Sequence, residues 1–201
     1  MSFKSRTECN GKSRADSESG FSLVELLIVC VVLVIISAIA VPNIVMINRN
    51  YKLDAAGHSV ASLLQQARMQ AVKTNQPNYA AFDNGAQVFY VTTGGPTTAY
   101  VNGNPDVNLP GGVSFQGIPA NHAQLDAYLG GGAPQLNQSI GFNARGLPCT
   151  TGGNPWICPS ATGGFEWFVQ NGNGGWEAIT VTAAGRIKCW RLSDATNGTW
   201  Q

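Results

Sequence analysis

The run Phe21–Val41, FSLVELLIVCVVLVIISAIAV, is apolar and carries a single charged residue, Glu25, close to its start. A segment of this length spans a bilayer as a helix. A carboxylate placed in it costs roughly 2.5–3.5 kcal/mol near the bilayer centre and less toward an end. An anchor has no need of that cost. A charged residue in a membrane helix marks a function by default and needs a partner. Nothing else in the run offers a positive charge.

The rest of the chain bounds what surrounds this segment. Beyond Val41 about 160 residues remain, enough for one compact domain with its own core. Charged residues make up 11% of the chain, against roughly 25% in ordinary globular domains. The 24 glycines, with many Asn and Thr, read as a loop-rich, extracytoplasmic, β-containing domain. The net charge of +1 provides no global attraction to nucleic acid or to a membrane surface. Of the five cysteines, Cys9 precedes the apolar run and Cys30 lies within it as a small apolar residue. Cys149 and Cys158 bracket a short Gly- and Pro-containing loop, and a disulfide between them is the first expectation. Pairing of either one with Cys189 is the alternative. No CxxC and no nearby His supplies a metal ligand set, so no metal site is expected.

Residues 1–20 are polar and mixed in charge, with Lys4, Arg6, Lys12 and Arg14 against Glu8, Asp16 and Glu18. They read as a leader with a slight cytoplasmic bias. Beyond Pro42 a helical pattern resumes. Val60, Leu63, Leu64, Ala67 and Ala71 fall on one face. Ser59, Gln65, Gln66, Arg68 and Lys73 fall largely off it. One helix from 21 to 75 is expected, apolar all round over 21–41 and amphipathic over 42–76, with Pro42 and Gly57 as its weak points. The domain 77–201 reads as β-rich. Strands are expected at Asn78–Phe82 and Gln87–Thr92 around the turn Asp83-Asn84-Gly85. Further strands are expected near Val113–Gln116, Gln138–Asn143, Phe165–Gln170, Trp176–Thr182 and Arg186–Leu192. Residues 93–135 otherwise read as irregular. The expected class is α+β, a long helix on a small antiparallel sheet.

The segment Gly20-Phe21-Ser22-Leu23-Val24-Glu25 resembles the processing site of type IV pilins and pseudopilins. The resemblance implies cleavage by a prepilin peptidase between Gly20 and Phe21, and N-methylation of Phe21. It also implies an assembly role for Glu25, and it accommodates Pro42. Cleavage would create an α-amine, cationic at neutral pH. Glu25 of one subunit could then neutralise Phe21 of its neighbour, which supplies the missing partner. The implied partners are other pilins, the peptidase and an inner-membrane assembly platform. The implied setting is a single-pass inner-membrane protein with a periplasmic domain, assembled into a type II secretion pseudopilus or a type IV pilus. No cofactor is implied. Within the family the chain most resembles the FimT and general-secretion-pathway H kind, through SLLQQARMQAVKTNQP (62–77), FNARGLP (142–148) and ITVTAAGRIKCWRL (179–192).

Two competing readings come from particular residues. Ala38-Ile39-Ala40 is a small-x-small site for ordinary signal peptidase, whose cleavage would release a soluble protein. Some FimT-like proteins bind DNA through a C-terminal Gly-Arg-x-Arg element, for which this chain has Gly-Arg-Ile-Lys. That makes Arg186, Lys188 and Arg191 nucleic-acid candidates. Strand alternation would put Arg186, Lys188 and Trp190 on one face and Arg191 on the other. Two or three phosphate contacts give only weak, salt-sensitive binding. The bland reading is a solvated, cation-protected edge strand. His58 on the helix and His122 in a loop lack a triad or metal-like neighbourhood in sequence. Trp156, Trp167, Trp176, Trp190 and Trp200 read as core and rim packing. No catalytic constellation is legible, and the reading is non-enzymatic.

Overall fold

The computed structural model describes residues 21–95, 98–115, 117–130, 132–150, 163–192 and 198–201. The chain divides into two compact units, Met1–Asn43 and Ile44–Gln201. Helix α1, Leu23–Thr74, contributes to both. In the first unit its large apolar side chains are exposed, from Leu23 through Val41, and the stretch is long and apolar enough to cross a membrane.

In the second unit α1 has one buried stripe: Leu53, Ala56, Gly57, Val60, Ala61, Leu63, Leu64, Ala67 and Ala71. This is the expected face, extended by two turns toward the N-terminus. The stripe forms one wall of the main core. The other walls come from two sheets. The first runs β3-β2-β1-β6-β7, built from β1 (Asn78–Asp83), β2 (Val88–Thr92), β3 (Asp106–Asn108), β6 (Ile140–Phe142) and β7 (Pro148–Thr150). All its pairings are antiparallel. The second runs β10-β9-β8-β4, built from β4 (Val113–Phe115), β8 (Phe165–Asn171), β9 (Trp176–Val181) and β10 (Ile187–Arg191). A short β5 (Gln135–Leu136) pairs parallel with the start of β8. Phe89, Phe142, Phe165, Trp167, Ile179 and Val181 meet the helix stripe in one cluster. The class is α+β, as expected.

Two features depart from the sequence reading. The β-structure is two sheets, not one. The stretch 93–135, expected to be irregular, holds β3, a 3-10 turn at Ala120–His122 and helix α2 at Ala123–Leu129. Helix α2 covers the second sheet on the side away from α1. There Leu125 joins Phe168, Ala178, Leu192 and Trp200 in a second cluster. Strand β8 is therefore buried on both faces, which explains why FEWFV reads as a near-continuous bulky run without alternation. The four described tryptophans pack as expected. Trp167 is buried and donates its indole N–H to the Gln138 carbonyl at 3.0 Å. Trp156 lies outside the described residues.

The turn Asp83-Asn84-Gly85 forms as read, with the Asp83 carboxylate accepting from the Gly85 and Ala86 amides at 2.8 and 3.0 Å. The three later segments that carry the family resemblance converge. Arg68, at the helix end, donates to the Gly185 carbonyl at 2.8 Å. Gly185 has φ +79, and a Cβ there would lie 2.9 Å from the Gly146 carbonyl oxygen. Gly146 itself sits against Arg68 and Val72. These motifs hold helix, β6–β7 turn and β9–β10 turn together. Gly185→Ala is expected to destabilise the folded unit by about 1–3 kcal/mol, from left-handed backbone strain plus the close approach. A chemical denaturation midpoint unchanged from wild type would show that the turn relaxes freely.

Candidate functional site

Phe21 precedes α1 and is 83% exposed. Glu25 lies in the first turn of α1 and is also exposed. The backbone of that turn is closed by the Leu26 amide donating to the Ser22 carbonyl at 3.1 Å. A carboxylate here is favoured by the unpaired N–H groups of the helix start. Among the described residues Glu25 has no ion pair; the only salt bridge joins Arg191 to Asp54. Gly20 lies outside the described residues. Around Glu25 the side chains of Leu23, Val24, Leu26, Leu27, Ile28 and Val29 are all at least half exposed. Such a continuous apolar surface is covered in its working state by lipid or by other protein chains.

The basic candidates do not form one patch. Lys188 folds onto its own strand, with Nζ 3.2 Å from the centre of the Trp190 ring and 5.5 Å from that of Tyr128. The same-face expectation for Lys188 and Trp190 is met. Arg191 points the other way, and one of its guanidinium nitrogens donates to both oxygens of Asp54 at 3.0 Å. Arg186 precedes β10 and is exposed in the turn. It was expected as the first residue of that strand. The tight Gly185 turn that joins β9 to β10 takes it out of the ladder.

Two acidic side chains of the second unit are buried. Glu177 on β9 stands opposite Gly57 of α1, where an added Cβ would occupy the place of the carboxylate. Gly57 is therefore a fitted contact as well as a weak point in the helix. Burial pushes the Glu177 carboxyl up to about 8, Asp54 pushes the same way, and Arg191 opposes. Burial, helped by Glu177, pushes the Cys189 thiol up to about 11. Glu166 on β8 is also carried to about 8, by burial and by Asp126. One oxygen or nitrogen ligand atom from each of His122, Asp126 and Glu166 lies within 4.8 Å of the others. This cluster was missed because Glu166 comes from a distant strand and His122 was expected in a loop. The spacing His122-x-x-x-Asp126, one helical turn, was the available signal.

Cys149 is disulfide-bonded, and Cys189 is a free thiol, as is Cys30. The alternative in which Cys149 takes Cys189 does not hold. The expected partner Cys158 lies outside the described residues.

A comparison with protein families matches residues 16–41 to the prokaryotic N-terminal methylation motif. Comparison with curated proteins finds no match. Among solved structures the chain is similar to the type IV minor pilin FimU of Pseudomonas aeruginosa, at 16% identity and a TM-score of 0.44, over 75% of this chain and 94% of that one. It is also similar to the minor pseudopilin EpsH of the Vibrio cholerae type 2 secretion system, at 10% identity and a TM-score of 0.41, over 69% of this chain and 95% of that one. Gly20, Phe21, Glu25 and the apolar run all fall in register inside the matched segment, so the chain carries the prokaryotic N-terminal methylation motif at residues 16–41.

Proposed function

We propose that the chain is a minor pilin or pseudopilin, a structural filament subunit whose work is assembly. It is made as a prepilin and held in the inner membrane by residues 21–41, with 77–201 on the periplasmic side. Prepilin peptidase cuts between Gly20 and Phe21, Phe21 is N-methylated, and an assembly platform draws the subunit into a filament of other pilins. The observation that carries this reading is Glu25, a carboxylate without a partner among the described residues, set in an exposed apolar helix face. In a filament the neighbour's Phe21 amine supplies the opposite charge, and the apolar surroundings strengthen the pair. Because the amine arises only on cleavage, uncut chains lack half of the pair. The same physics serves a type II secretion pseudopilus and a type IV pilus; the proteins that co-purify with the assembled subunit separate the two. The divided basic residues give no support to a DNA-binding version. A disulfide between Cys149 and Cys158 belongs to the same proposal.

Intact mass of the mature protein tests the processing. The expected species begins at singly methylated Phe21. A species beginning at Val41 would mean ordinary signal-peptidase release and would sink the filament reading.

A further inference from the structure

We infer that His122, Asp126 and Glu166 form a site for a divalent cation of the zinc class, on the face of the second sheet that α2 covers. Their ligand atoms lie within 4.8 Å of one another. Tetrahedral ligands about 2.1 Å from zinc stand roughly 3.4 Å apart, so side-chain movements of about 1 Å close the set. The donor set is one imidazole nitrogen and two carboxylates, all accepted zinc ligands. Three protein ligands leave a fourth position for water or another donor.

The second observation is the state of these groups. Glu166 is fully buried, and neither of its carboxylate oxygens has a hydrogen-bond partner. The Nδ1 of His122 and Oδ1 of Asp126 are buried and unpartnered in the same way. Buried polar atoms are almost always satisfied, and each exception calls for a cause. No cation pairs with either carboxylate among the described residues. The surroundings are apolar: Leu125 and Phe168 belong to the cluster beneath α2, and the His122 ring meets Phe168 edge-on with centroids 6.4 Å apart. A +2 ion would give each of the three residues a partner and, with both carboxylates ionised as its ligands, cancel their charge. The ion would clip the segment carrying the 3-10 turn and α2 to β8. This site is independent of the assembly helix and stands or falls apart from the filament proposal.

The test uses the full chain, purified without a polyhistidine tag in detergent, loaded with zinc chloride and exchanged into metal-free buffer. Elemental analysis is expected to find one zinc per chain. Glu166→Gln removes the buried charge without changing the shape, and His122→Ala removes the nitrogen ligand. Each is expected to weaken zinc binding by at least roughly tenfold to a hundredfold, the range seen for losing even an outer-sphere partner. His58→Ala, on the helix, is expected to retain zinc as wild type does. Zinc is also expected to raise the melting temperature of wild type and not of Glu166→Gln. No retained zinc in wild type, or retention undiminished in either ligand variant, would overturn the site.

Discussion

Replacing Glu25 with alanine is expected to leave the protein in the membrane and to remove it from assembled filaments. Insertion does not suffer, because the substitution relieves a charge cost of roughly 2.5–3.5 kcal/mol or somewhat less. Assembly is expected to suffer, because in the proposed filament the neighbour's Phe21 amine would be left buried without a counter-charge. Breaking a buried ion pair by deleting one partner costs about 3–5 kcal/mol. That corresponds to a loss of roughly a hundredfold to a few thousandfold in the incorporation equilibrium. The measurement is the ratio of subunit in sheared filaments to subunit in the membrane fraction. Glu25→Asp keeps the charge and shortens its reach, so partial incorporation is expected. Wild-type incorporation of the alanine variant would show that Glu25 plays no part in subunit register.

The second large effect concerns pH and the buried Glu177. Its carboxyl titrates near pH 8 in the folded protein, against an ordinary value near 4.5 when unfolded. The native state therefore holds a proton that the unfolded state has released throughout that window. Stability falls as pH rises from about 4.5 to 8, by up to ~1.4 kcal/mol per pH unit, and levels off above. Over the whole window the contribution is on the order of 3–5 kcal/mol. Asp54 adds to the effect and Arg191 reduces it; the Cys189 thiol, itself pushed up to about 11, stays neutral across the window. Glu177→Gln is expected to change little at pH 5 and to raise stability markedly at pH 8. Tryptophan fluorescence melts of the full chain in detergent report it, since Trp167, Trp176 and Trp190 lie on or beside the affected strands. Equal pH slopes for wild type and the variant would show that Glu177 is ionised and solvated in the folded state.

Local regularity made some elements readable. The stripe Val60, Leu63, Leu64, Ala67 and Ala71 has the 3.6 period, and all five are buried. Asp83-Asn84-Gly85 carries its own turn chemistry, and β1 and β2 pair across it from Tyr79 opposite Thr92 to Asp83 opposite Val88. Helix α2 was unreadable for the opposite reason. It is barely two turns long, lies among Gly, Pro and Asn, and is held by Leu125 and Leu129 packing inward. The pairing of β5 with β8, and of β4 with the other end of the same strand, joins residues that no local signal connects.

The same division holds for the sites. The apolar run and its isolated Glu25 are legible by themselves, because helix geometry and bilayer thickness are local constraints that twenty consecutive residues satisfy or fail; the counter-charge from a neighbouring subunit belongs to the proposal built on them. The fates of Arg186, Lys188 and Arg191 needed the tertiary structure, which seats one on an aromatic ring, ties one to Asp54 and leaves one in a turn. The meeting of His122 and Asp126 with Glu166 needed it too. Burial and long-range contact set what a buried side chain can pair with, and a strand forty residues away in the chain becomes a neighbour only when the sheet closes.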